Sequence, residues 1–192
     1  MKTFAIGVLL LLIGCTPPEG TSGSSAERPS TYGLGTPATP VQIAAIDIDV
    51  NPAGTGLPAG EGTAATGAVV YGQKCAVCHG PKGEGLEKNP RLVGVASTPA
   101  FVFATDYKAP KTIGNYWAYS TTLYDYIHRT MPLNAPGSLT PTEIYGVVAF
   151  LLSENGIIVP TKTIDAKSLA AVKMPAQAHL VPDNRTGGRV FR

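Results

Sequence analysis

A chain of 192 residues can hold one modest domain with extensions, but hardly two full ones. Only 15% of its residues are charged, the formal net charge is +2, and no run of Lys or Arg forms a phosphate-binding stripe, which excludes nucleic acid as a partner. The 22 Gly and 17 Pro imply a small core with much ordered loop or linker.

The N-terminus reads as an export signal over residues 1–14. Lys2 supplies one positive charge, and residues 4–13 form an apolar run too short to cross a bilayer. The run ends in Leu12-Ile13-Gly14-Cys15, which resembles the bacterial lipobox, whose Cys is lipidated and becomes the first residue. An ordinary secretory signal with a chance Cys is the alternative. Acyl chains on Cys15 would tether the protein without spanning the membrane. The expected location is periplasmic or otherwise extracytoplasmic, as a membrane-anchored lipoprotein. Residues 15–30, made largely of Pro, Gly, Ser, Thr and Glu, read as a flexible tether.

Residues 31–61 read as an ordered extension. Thr39-Pro40-Val41-Gln42 has a helix start, with Thr as N-cap, Pro at the first position and Gln three after the cap. Ile46-Asp47-Ile48-Asp49-Val50 alternates as a short strand. The central domain, residues 62–158, carries three helical patterns. The first starts at Thr66 and runs to Cys78. The second covers residues 121–129 and puts Leu123, Tyr126 and Ile127 on one side. The third covers residues 141–153, with Thr140 as N-cap, Pro141 at N1, Glu143 at N3 and a stop at Asn155-Gly156. Its stripe of Ile144, Val147, Val148, Leu151 and Leu152 predicts a buried face. In the tail, residues 159–192, Asp165 can cap a short helix through Val172 that Pro175 terminates. The last residues, with Arg185, Arg189 and Arg192, read as poorly ordered.

The chemistry centres on Cys75-Ala76-Val77-Cys78-His79. Two thiols at this spacing add to the vinyl groups of one porphyrin, and the next residue offers its imidazole to the iron. A redox dithiol needs no following His, and a zinc site needs further Cys or His, of which only His128 and His179 remain. With Cys15 assigned to lipid, the three Cys are all used and none is left for a disulfide. The reading is one covalent haem c held by Cys75 and Cys78, with His79 as an axial ligand. Met131, just after a helix and before Pro132, is the first choice for the sixth ligand; Met174 and His128 stay open. The aromatic cluster around Tyr116, Trp117 and Tyr119 is core by default, and Trp117 or a tyrosine can donate to a haem propionate. Lys74, Lys82, Lys108 and Lys111 read as solvated charges, some of which can ring an exposed haem edge.

These motifs resemble the class I cytochromes c. Gly67 and Tyr71 look like the small and aromatic residues of the family's first helix, Ala149-Phe150-Leu151 like its last helix, and Gly80, Gly83 and Gly85 like the turn after the haem His. The resemblance implies an all-α class I cytochrome c fold with extended N- and C-terminal segments. It implies that Pro90 accepts the imidazole N–H of His79, that Leu92 packs on the haem, and that the loop carrying Met131 is the distal one.

Most of the chain after Thr31 is also similar to the cytochrome subunits of bacterial sulfite and sulfane dehydrogenases. The likeness rests on residues 32–40, 46–50, 54–58, 112–117, 136–139, 155–158, 165–169 and 172–175. It implies an electron-accepting subunit beside a molybdenum-cofactor dehydrogenase subunit, delivering to a further cytochrome c or oxidase. The lipobox departs from that group, whose subunits are commonly soluble, and the second haem domain of some members is missing here. Two alternatives remain: a free-standing electron shuttle, and a peroxidase-like or ligand-sensing haem protein.

Overall fold

The computed structural model describes residues 32–94, 102–104 and 108–181. The expected signal, Cys15, the tether and the three C-terminal arginines lie outside the described residues. The chain divides into two units at Thr39/Pro40. Of the first, residues 32–39 are exposed and without regular structure; everything below concerns the second.

Helix formation follows the capping residues. Thr63 and Thr66 form a reciprocal capping box that starts α2 (Ala64–Lys74), since each side chain takes the other's backbone N–H. Thr140 and Glu143 do the same for α6 (Pro141–Glu154), with Pro141 in the first turn. Between them lie α3 (Ala76–His79), α4 (Ile113–Tyr116) and α5 (Ser120–Thr130). Before α2 come α1 (Pro40–Ile46) and the two-residue strand β1 (Glu61–Gly62); after α6 come β2 (Ile164–Asp165), α7 (Ala166–Ala170) and a 3-10 turn over Pro175–His179. The fold is all-α, with one antiparallel pair in which Glu61 faces Asp165 and Gly62 faces Ile164. Among the described residues no helix is long and apolar enough to cross a membrane.

The main packing event is the crossing of α2 over α6. It is close because glycine meets glycine. A Cβ on Gly67 would overlap the Gly146 carbonyl, and one on Gly146 would stand 3.1 Å from the Gly67 nitrogen. One turn on, the Tyr71 and Phe150 rings meet at 4.8 Å between centroids. The predicted stripe Ile144, Val147, Val148, Leu151 and Leu152 is wholly buried and forms the centre of the core with Tyr71, Leu123, Tyr124 and Ile127.

Several local expectations need correction. Residues 46–50 form no strand: Ile46 ends α1 with 81% of its surface exposed, and only Val50 is buried. Among the described residues no strand offers this segment a ladder; the Val50 N–H donates to Asp125 Oδ1 instead, at 2.8 Å. The first long helix stops at Lys74 and restarts as α3, so Cys75 sits at a break and not inside a continuous helix. The C-terminal helix ends at Ala170, and Pro175 opens the following turn instead of terminating it. Tyr126 does not share the burial of Leu123 and Ile127, remaining 41% exposed.

The flanking segments belong to the core. Pro58 accepts from Tyr145 Oη at 2.9 Å, and Pro52 accepts from Thr121 Oγ1 at 3.0 Å. From the tail, Leu169 accepts from Ser120 Oγ at 2.7 Å, while Ile164, Leu169, Met174 and Ala176 are buried. Extension and tail thus close over α5 and α6 from both ends of the sequence, meeting in the β1–β2 pair.

Candidate functional site

The break at Cys75 shapes the site. Cys75 caps α2 through its N–H to Tyr71 O, and its own carbonyl accepts from Cys78 N–H at 3.1 Å and His79 N–H at 2.9 Å. One tight turn therefore presents both thiols and the imidazole to the same cleft. The two cysteines form no disulfide. Burial pushes the Cys75 thiol up to about 11, with the charge of Cys78 adding to the shift; a thioether has no such proton to lose.

The turn after His79 is tied back to it. Gly85 N–H donates to His79 O at 2.8 Å, and Tyr71 Oη donates to Gly80 O at 2.9 Å. Burial, with negative charge at Cys75 and Glu84, raises the Tyr71 phenol to about 12, so it stays a donor at any working pH. Gly83 O accepts from the N–H groups of Leu92 and Val93 at 2.8 and 3.0 Å, which folds residues 90–93 against the turn. Pro90 O then lies 2.9 Å from His79 Nδ1. A carbonyl only accepts, so Nδ1 carries the proton and the lone pair of a neutral ring is at Nε2, the atom that can bind a metal.

The cleft has a volume of about 950 Å³. It brings together Cys75, Cys78, His79, Pro90, Leu92, Trp117 and Met131, with Ile113, Leu123, Ile127, Val147 and Leu151 supplying apolar wall. Tyr126 lines it as well, which explains an apolar-face residue left exposed, and it meets Trp117 edge-on at 5.6 Å between centroids. Of the four lysines considered, Lys74 and Lys111 border the cleft and Lys82 and Lys108 do not; Arg91, which carried no signal of its own, borders it too. Lys111 Nζ stands 4.7 Å over the Tyr116 ring.

The rivals for the sixth position fall elsewhere. Met174 is 3% exposed and part of the apolar core, and it is not among the cleft-lining residues. His128 does not line the cleft either; its Nδ1 is buried without a hydrogen-bond partner among the described residues. Two buried asparagines next to the site escaped the sequence reading. Asn115 Nδ2 donates to Val102 O and Pro110 O, both at 2.8 Å, and Asn155 bonds backbone groups on three segments. A helix-stop Asn looks the same in sequence whatever its side chain reaches.

Two thiols and an imidazole with Nε2 free, opening on a largely apolar cleft of this size, fit a covalently attached haem. The model of the family described as cytochrome c matches residues 64–155. The crystal structure of the sulfane dehydrogenase SoxCD from Paracoccus pantotrophus contains a chain 38% identical to this one, covering 81% of this chain and 74% of that one, with a TM-score of 0.70. No curated protein sequence matches. Motif, cleft and these likenesses agree, and the chain belongs to the cytochrome c family, electron-transfer proteins with covalently bound haem c, whose attachment motif Cys75 and Cys78 fit.

Proposed function

We propose that the chain is the electron-accepting subunit of a molybdenum-dependent dehydrogenase acting on sulfite or a related sulfur compound. The observation that carries this reading is the 38% identity to a sulfane dehydrogenase chain over 81% of this one, well beyond residues 64–155 that any cytochrome c shares. Bound haem c supplies a one-electron change between Fe(III) and Fe(II). His79, through Nε2, and Met131 are the proposed axial ligands, supported by their presence in one cleft. Pro90 orients the imidazole, Leu92 and Trp117 pack beside the ring, and the partner subunit does the sulfur chemistry. Electrons leave for a further cytochrome c or an oxidase. On this reading the protein works outside the cytoplasm, anchored by lipid at Cys15, a reading supported by the apolar run that ends at that residue.

A dedicated partner is favoured over a free shuttle by α1. All seven of its residues are exposed, and Val41, Ile43 and Ile46 present apolar surface that the described residues leave uncovered. The deciding experiment expresses the full chain with a candidate molybdenum-cofactor dehydrogenase subunit from the same source. Co-purification and sulfite-dependent reduction of the haem are expected. A chain that stays monomeric and is reduced equally by unrelated donors would make it a free shuttle. Separately, Cys15→Ser should release the protein from the membrane fraction.

A further inference from the structure

We propose that Asn155 is a positioning residue for the axial imidazole, holding the segment that carries the Pro90 carbonyl where His79 Nδ1–H meets it. This rests on the reading that His79 ligates the iron. Asn155 is 3% exposed and uses its whole side-chain amide. Oδ1 accepts from Gly94 N–H at 2.9 Å and Gly114 N–H at 3.0 Å; Nδ2 donates to Leu151 O at 2.7 Å and Leu92 O at 3.2 Å. Two acceptor sites and two donors are thus matched by four backbone groups. A residue needed only to end α6 would not require this. Its backbone, at φ −83° and ψ 1°, lies outside the left-handed region, and its N–H already caps the helix.

The surroundings are built around these bonds. A Cβ on Gly114 would come within 2.5 Å of Gly94 O and 3.0 Å of Asn155 Oδ1; one on Gly94 would stand 2.7 Å from Thr112 Oγ1. Both glycines are needed for two strands of backbone to reach one amide oxygen. Leu92 O also accepts from Ile113 N–H at 3.0 Å. On its other side the segment is bonded to the turn after His79, with Leu92 and Val93 N–H both on Gly83 O and Arg91 Nε–H on Glu84 O at 3.3 Å. That attachment acts as a pivot that moves with the turn of His79 itself. Asn155 grips the segment at Leu92 O and Gly94 N–H and ties it to α6 and α4, which stops rotation about that pivot. Two residues upstream is Pro90. A strong bond from Nδ1–H to its carbonyl makes the imidazole more basic and favours Fe(III), so loosening the segment raises the potential.

The test compares the haem-loaded full chain with Asn155→Gly and with Ile164→Val, a core change outside the cleft. In Asn155→Gly, with the Met-to-Fe(III) charge-transfer band retained, the midpoint potential should rise. The His79 Nδ1 proton, followed by its hyperfine-shifted resonance, should exchange faster with solvent. Ile164→Val should lower stability and move neither. A stability loss in Asn155→Gly with potential and proton exchange unchanged would reduce Asn155 to a helix cap and overturn the proposal, as would equal shifts in both variants. If Asn155→Gly does not fold, amide exchange in the unaltered holoprotein decides. Gly94 and Gly114 protected like α6 support the clamp, and exchange at loop rates overturns it. Lack of the charge-transfer band in the unaltered protein would strike the ligand assignment itself.

Discussion

Met131 and Met174 each precede a proline, and the sequence separates them by position relative to the last long helix and by the likeness of the Met131 loop to the family's distal one. Their surroundings differ sharply, because Met131 is in the cleft and Met174 in the core. On the proposed ligation, Met131→Ala abolishes the Met-to-Fe(III) band, as read by visible spectra. Met174→Ala keeps the band and lowers stability by about 2–5 kcal/mol, the cost of emptying a buried site. A band that survives the first change and vanishes in the second reverses the assignment. At this scale the site was legible wherever a residue's own chemistry is rare, as in a thiol pair followed by His. It was illegible for Asn155 and Asn115, whose roles depend on backbone groups far off in sequence.

At the level of elements, two glycines in one helix have opposite roles. Gly67 lets α2 touch α6, whereas Gly72 has open space where a Cβ would go. Gly72→Ala should therefore raise stability by up to about 1 kcal/mol through helix propensity. Gly67→Ala should lower it by about 3 kcal/mol or more through overlap with backbone that cannot yield; denaturant melts of both variants check the contrast. Asp125 shows a contact between elements that no local pattern announces. Burial would push its carboxyl up, but hydrogen bonds from Arg129 and the Val50 N–H, with the guanidinium charge, outweigh that and hold it below the ordinary 3.8. A depressed value in the fold means stability fully present above pH 3.8 and lost as pH falls through the folded value. Asp125→Asn should thus be less stable than the parent at neutral pH, and the gap should close below the ordinary value, as melts between pH 7 and 2.5 would show. The strand expected over residues 46–50 failed for the same reason, since its alternation had no partner strand and its one buried member is served by a side chain 75 positions away.

For the whole molecule, the segments flanking the central domain contribute to one core and meet in a two-residue pair. The exposed apolar α1 lies outside that core. Val41→Asp and Ile46→Asp should leave thermal stability within about 0.5 kcal/mol of the parent, while weakening co-purification with the molybdenum subunit; unchanged co-purification would remove α1 from the interface. By itself the sequence determined the covalent chemistry, the capped α6 and its buried stripe. Each of these is set by residues within a few positions of one another, where spacing and hydrogen-bonding capacity are enough. Only the tertiary structure decided that α2 breaks at Cys75, that Met131 and not Met174 enters the cleft with His79, and that extension and tail join the core. Those outcomes depend on which distant groups satisfy one another's hydrogen bonds and cover one another's apolar surface, and no local pattern records that.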